Sequence, residues 1–287
     1  MRELHVGRGA NAGALTVFPV WGDAPTSRGY GIDDASLVVS ELPDGPAVGH
    51  VLAQNSASMP LLITEGMLLE GGWQTRALTR SVLLPARESL AVEVVCVEQG
   101  RWSGGAGHRT AGRRASSRIR AAARRRGDHG AQGTVWQRVA QYEARFGQSP
   151  TSSYADHADR GAADVRRLVA TMRTLPGELG VVIGIGGHQV VAEVFDSPLS
   201  LRQQFAAIME AAGMDALDQP AVATPARRAI RLIEEAEGLS LRPIAAAGLG
   251  TTMTGSSERV AVDALAWRRR LVHTTVTNAH HPLNVGA

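Results

Sequence analysis

Over the first hundred residues, apolar and polar positions alternate or gather into short apolar runs. Residues 15–21, 37–41, 47–54, 61–69, 74–84 and 90–98 each read as a strand. Turn-forming residues punctuate them, as at Pro43-Asp44-Gly45-Pro46 and Gly71-Gly72. Strands in series with no helix between them predict a β-sandwich or an open barrel. Beyond residue 133 the period changes. Helical spacing appears at 135–146, 162–172, 199–212 and 225–236, and strand-like runs at 179–185, 189–195, 260–265 and 271–276. Gly186-Gly187-His188 between two such runs is a hairpin signal, with His188 exposed at the turn. Thr224-Pro225 reads as an N-cap followed by proline at the first helical position. The expected fold is α+β: an N-terminal β-sandwich or open-barrel lobe over 1–104, an arginine-rich surface helix or linker over 105–133, and an α+β lobe over 134–287. Together they would make one family-level domain.

Composition removes several kinds of chemistry. All 30 basic residues are arginine, so there is no P-loop, Schiff-base or kinase-type lysine. The pI near 9.7 overstates a nucleic-acid footprint, because the formal net charge is only +3. The lone Cys96 excludes an intrachain disulfide and a multi-thiolate zinc site, and by itself reads as a small buried hydrophobe. No apolar stretch approaches the roughly 18–20 residues of a membrane span, and the first residues lack a signal-peptide core. The expectation is a cytoplasmic protein without membrane partners.

One block stands apart. Residues 61–102 place acids, amides, arginines and an indole inside runs that should be buried strands. Buried polar groups must be hydrogen-bonded and buried charges paired. Unbroken alternation would put Glu65 on one face with Leu61, Ile63, Met67 and Leu69, and Arg76 on one face with Gln74, Leu78 and Arg80. Pairing through Gly71-Gly72 would then make Arg76 a partner for Glu65 or Glu70, since its planar fork holds a carboxylate by two hydrogen bonds. In the next strand Val92, Val94, Cys96 and Glu98 share a face, and Gly100 turns Arg101 and Trp102 toward the strand end. Such a set can line a pocket: arginine for phosphate, tryptophan for a base or ribose, carboxylate for hydroxyls. It can equally be a sealed network that locks the fold. Glu65, Glu70 and Glu98 lack the D-x-D or H-x-H spacing of a metal site, so no metal is expected.

The same residues carry a resemblance. Glu65-Gly66, Gly71-Gly72, Gln74 and Arg76, then residues 81–86 (SVLLPA) and 95–102 (VCVEQGRW), recur in an uncharacterised family in this order. Residues 179–198 and 271–276 are similar too. The chain resembles the ARG and Rhodanese-Phosphatase-superfamily-associated protein domain. Members of that family read E-G-E where this chain has Glu65-Gly66-Met67, and Q-N-R where it has Gln74-Thr75-Arg76. The resemblance implies handling of ADP-ribose-like or NAD-derived nucleotides, or of modified proteins or RNA, and brings no established reaction or cofactor.

The resulting expectation is a domain that binds or processes a nucleotide-type metabolite. Its ligand-binding candidates are Gln74, Arg76, Arg101 and Trp102, and its catalytic candidates are Glu65, Glu70, Glu98 and His273. His273 also reads as a core histidine. The alternative is a non-enzymatic protein- or RNA-interaction module, with RNA met through the arginines from Arg113 to Arg126. That run has no interleaved aromatics for base stacking, and the reading weighed above RNA contact is a solvated helix or linker. Gly248-Leu249-Gly250-Thr251-Thr252 is a loop without a following helix signal, and His280 and His281 read as a frayed tail.

Overall fold

The alternating runs do become strands, but they are dealt between two units of the chain. The computed structural model describes residues 3–25, 27–124 and 130–285. Met1–Arg28, Asp164–Ala246 and Gly250–Ala287 form one unit, and Gly29–Ala163 with Ala247–Leu249 the other. The first strands therefore belong with the second half of the chain, and the units cut across the segments 1–104, 105–133 and 134–287. The α+β class is borne out.

Among the described residues, the first unit is built on a nine-stranded antiparallel sheet. Leu15–Trp21, Gly180–Ile185, His188–Phe195 and Arg270–Asn278 lie side by side at its centre. Alternation sends Val182, Ala192, Val194, Val262 and Val276 to one face, where Ala229, Leu232, Ile233 and Ala236 of the helix Ala226–Glu237 cover them. The expected Thr224 cap is displaced by one residue. Pro225 takes the cap position, while buried Thr224 gives its N–H to Thr16 Oγ1 at 2.9 Å. Nor is His281 part of a frayed tail. It is buried, its Nδ1 accepts the Leu283 N–H, and its Nε2 therefore donates to the Ile185 carbonyl.

In the second unit the β-rich segment closes on itself. Ser89–Cys96, His50–Asn55, Leu37–Ser40, Gly107–Arg114, Met67–Gly71 and Arg76–Leu78 form a closed antiparallel barrel, neither a sandwich nor an open barrel. Val39, Val51, Leu69, Leu78, Val92 and Val94 fill it. Two expected long strands are each broken. Residues 61–69 divide into Leu61–Ile63 and Met67–Gly71, and residues 74–84 into Arg76–Leu78 and Val82–Leu84. The first pieces of one and last pieces of the other pair with each other outside the barrel. Gly66 makes the first break. Its φ of +79° suits glycine, and a Cβ there would lie 2.4 Å from Arg120 Cδ.

The arginine-rich segment is not a surface helix or linker. Gly107–Arg114 is a barrel strand between Met67–Gly71 and Leu37–Ser40, and Ser117–Ala123 is a helix with Ile119 and Arg120 buried. Arg125 and Arg126, the end of the proposed RNA-binding run, lie outside the described residues. No described helix is long and apolar enough to cross a membrane.

An aromatic knot packs in the same unit. Tyr142 meets Tyr154, Phe146 and His157, with ring centroids 5.5, 6.5 and 6.2 Å away. His157 is fully buried, and among the described residues neither ring nitrogen finds a hydrogen-bond partner. Burial holds its pKa below the usual 6.5. Between that lowered value and 6.5 the unfolded chain binds a proton that the folded one refuses, so stability falls as pH drops through this window. Replacing an orphaned buried polar ring by an apolar one of similar shape removes the penalty, so His157→Phe should stabilise by about 1–2 kcal/mol. Urea unfolding at pH 7.5 and pH 5.5 checks this, and the gain should be larger at the lower pH.

Candidate functional site

Glu98 sits where the strand Ser89–Cys96 has ended and the chain turns at Gly100. Among the described residues its carboxylate, nearly buried, accepts five hydrogen bonds. Oε2 takes the Thr75 N–H (2.8 Å), the Thr75 hydroxyl (2.9 Å) and Arg101 Nη2 (2.6 Å), while Oε1 takes Arg101 Nε (2.9 Å) and the Thr151 hydroxyl (2.8 Å). Burial alone would raise its pKa. The donors, led by Arg101, outweigh burial and hold it at about 2. Such a carboxylate stays ionised near neutral pH and carries no proton there. It acts as an anchor.

What Glu98 anchors is Arg101. The remaining N–H groups of that guanidinium donate to the Gly71, Gly72 and Ser103 carbonyls, so all five donors are engaged within the chain. Thr151 precedes the helix Tyr154–Val169 and accepts the Gly100 N–H through its carbonyl, and Tyr154 N–H donates to Val97 O. The barrel edge and the start of that helix are thus pinned together. Between them opens a cleft of about 390 Å³ whose lining includes Glu70, Glu98, Arg101, Arg109, Asp156 and Asp159.

Glu70 and Glu65 find their partners in the arginine-rich segment. Glu70 faces Arg113 at 2.6 Å and Arg109 at 3.3 Å, and Arg113 also meets Asp159 at 2.5 Å. Arg124 grips the Glu65 carboxylate at 2.5 and 2.7 Å, while Arg114 donates twice to the Glu65 carbonyl. The expected bridge from Arg76 to Glu65 or Glu70 is absent among the described residues. The strand pairing behind it is correct, with Leu69 opposite Arg76 across the Gly71-Gly72 turn. Barrel curvature, however, directs Arg76 with Leu78 to the inside and Glu70 to the outside. Glu70 also lies within the strand Met67–Gly71 opposite Arg109, whereas Glu65 precedes its start, where Met67 pairs with Arg114.

Arg76 is completely buried at the barrel end. Its Nη1 donates to Gln74 Oε1 at 2.7 Å, Gln74 Nε2 donates to Glu98 O at 3.0 Å, and the guanidinium lies 5.5 Å from the Trp102 ring centre. Trp102 meets Trp73 edge-on at 5.6 Å and remains 45% exposed. Beneath them lies a pair that the sequence reading missed. His108 Nε2 faces Glu41 Oε1 at 3.1 Å, its Nδ1 faces Leu69 O, and both side chains are buried. Burial lowers the His108 pKa against the pull of Glu41. Gly72 makes room for the imidazole, because a Cβ there would come within 2.1–2.8 Å of the ring. A signal was present, in that His108 alternates with Thr110 in strand fashion, but flanking glycines and arginines masked it. His273 belongs to the other unit. Its Nε2 lies 3.2 Å from buried Glu193, and its ring stacks on Phe195 at 4.5 Å.

The question of pocket or sealed network thus has a divided answer. Gln74, Arg76, Glu65, Glu41 and His108 are enclosed, whereas Trp102, Arg109 and Asp159 reach solvent. Among the described residues no group of three His, Cys, Asp or Glu is placed to hold a metal ion. Fold and site together define an α+β protein whose small closed barrel is braced by arginine–carboxylate pairs beside an open cleft. The chain belongs to the family described as the ARG and Rhodanese-Phosphatase-superfamily-associated Protein domain, whose model matches residues 3–277. Searches of curated proteins and of solved structures return no match.

The Glu98 anchor has a measurable signature. Its folded pKa of about 2 lies below the ordinary 4.5. The stability it contributes is therefore complete above about 4.5 and is lost as pH falls toward 2. Glu98→Gln should lose about 3 kcal/mol at pH 7 and flatten the acid limb of the stability curve. Chemical unfolding across pH 3 to 7 measures both, and an unchanged acid limb would exclude the anchoring role.

Proposed function

We propose that this protein binds a nucleotide-type metabolite of the ADP-ribose class at the barrel-edge cleft. The observation that carries the reading is the open cleft lined by Arg101, Arg109, Asp156 and Asp159, with the half-exposed Trp102 indole next in the chain to Arg101 and held against Trp73 and Arg76. A fixed indole gives a base or ribose a stacking surface with little entropy left to lose. Arg109, with its side chain 79% exposed, supplies a guanidinium for a diphosphate, and Asp156 and Asp159 supply acceptors for ribose hydroxyls. Arg101, Gln74 and Arg76 act behind this surface as its frame, because their donors are directed into the chain. The same class is what the resemblance described from the sequence implies.

Binding without catalysis is the better-supported form of the reading. Glu98 is fixed as an anion, and Glu70 lies between two arginines. The RNA alternative loses much of its motivation. Arg113, Arg114, Arg120 and Arg124 turn inward onto acids, carbonyls or the core, and Arg118 lies 4.7 Å over the Tyr142 ring.

Trp102 and Arg109 are exposed enough to change without unfolding the barrel. Isothermal titration with ADP-ribose should show binding, and Trp102→Ala and Arg109→Ala should each weaken it roughly tenfold with little change in Tm. No heat at millimolar ligand, or an affinity unchanged from the parent in both variants, would leave the cluster as a structural brace alone.

A further inference from the structure

A second cavity lies wholly within the large-sheet unit and shares nothing with the barrel cleft. It encloses about 450 Å³ at the end of the central strands, with Leu4, Leu179, Val194, Leu239 and Leu241 among its walls. That volume falls within the usual range of small-molecule sites. Leu4, Leu239 and Leu241 are only partly buried, packed against the edge of the core beneath the helix Ala226–Glu237. The cavity is thus continuous with an apolar core and open at a charged mouth.

Asp23, Asp196, Arg269 and Arg270 are the charged residues of the cavity's lining, with Asp23 and Arg269 exposed. Asp196 is 6% exposed and faces Arg270 Nε at 3.7 Å. Arg270 spends its other nitrogens on the Ser27 and Arg28 carbonyls. Arg269 differs: it is exposed, and it makes no hydrogen bond or ion pair among the described residues.

The backbone beneath Arg269 provides an independent observation. Trp267 pairs with Arg270 across a two-residue hairpin turn, in which residues 268 and 269 are both left-handed, as in a type I′ turn. Asparagine and glycine normally fill such positions. This chain places arginine at both, with φ of +49° and +65°. Arg268 lies over the Trp267 ring at 4.3 Å, leaving Arg269 at the cavity mouth. A side chain held in an unfavourable backbone well, beside an apolar cavity and without a partner, points to a ligand group as that partner.

We infer that this cavity binds an amphipathic small molecule with an aliphatic body and a single carboxylate head, the head paired with Arg269. The leucine walls take the body, and the guanidinium takes the carboxylate by two parallel hydrogen bonds. Asp23 on the same mouth works against an anion and favours a single negative charge over two.

Calorimetric titration of the full chain with octanoate and with octanol tests this. Octanoate should bind, and octanol, which keeps the body and loses the charge, should bind at least roughly tenfold more weakly. Arg269→Gly should lose that same factor for octanoate while raising the Tm of the free protein, because glycine relieves the left-handed position. Asp23→Asn should tighten octanoate binding, and Leu241→Trp, which fills the cavity, should abolish it. The inference is overturned if octanoate gives no heat, if octanol binds as tightly, or if Arg269→Gly leaves octanoate binding unchanged. ADP-ribose binding at the barrel cleft should be the same in Arg269→Gly as in the parent, which separates the two sites.

Discussion

A carboxylate cannot be buried alone, and the barrel depends on that constraint. Glu65, Glu70 and Glu98 lie at 3–5% exposure on or beside its strands. Each is met by a guanidinium from later in the chain: Arg124, Arg113 and Arg101 respectively. Two of these partners come from the stretch containing Gly107–Arg114 and Ser117–Ala123, the first of which is the strand that closes the barrel between Met67–Gly71 and Leu37–Ser40. Pairing the acids and closing the barrel are one event. A buried ion pair contributes little net stability against a well-packed apolar pair, yet losing one partner is severe. Its value here lies in specificity. A one-residue slip of Gly107–Arg114 would move Arg113 off Glu70 and reverse which side chains face the core.

That economy also governs what is left for function. Arg101 has every donor engaged, Glu98 has five donors on it, and Arg76 lies under Trp102. Groups so fully satisfied resist reorientation toward a ligand, since each would first give up a charge-assisted hydrogen bond. On the proposed function, recognition would fall to the rim, where Trp102 and Arg109 stay in solvent. The buried network and the exposed rim are one structure at two depths, the inner part fixing the position of the outer.

Much of this fold was legible in the sequence, and the illegible part has a single cause. Residues 15–21 predict the strand Leu15–Trp21 to the residue, and Gly186-Gly187 predicts a hairpin whose partners are Ile185 and His188. Both are local, set by alternation and turn chemistry. The block around Glu65, Gln74, Arg76, Glu98, Arg101 and Trp102 was legible as a place, because polar residues in apolar runs need a reason. Its partnerships were not. Alternation says which residues share a face of a strand, but not that the face turns inward on a barrel. It also cannot say that Glu65 and Glu70 would be answered by Arg124 and Arg113, from forty or more residues away. The uniform arginine usage hid this further, since a run that reads as a solvated helix or linker carries no mark of its inward direction. Glu41 and His108 escaped for the same reason, each being ordinary until the barrel brings them to 3.1 Å.

Two hairpins in the large-sheet unit show how far local rules reach. Gly186 and Gly187 take φ of +59° and +88°, and Arg268 and Arg269 take +49° and +65°. The backbone demand is the same, because two-residue turns must match the right-handed twist of the strands they join. At the first hairpin the chain meets it with glycines, whose missing Cβ removes the strain. At the second it meets it with the bulkiest basic side chain. Turn geometry explains the glycines completely and the arginines not at all. The arginine turn stands beside a leucine-walled cavity, with Arg269 in its lining. The residue that violates the local rule is therefore read by what it faces, and Arg269 faces a cavity whose walls are apolar and whose entrance holds an unanswered positive charge.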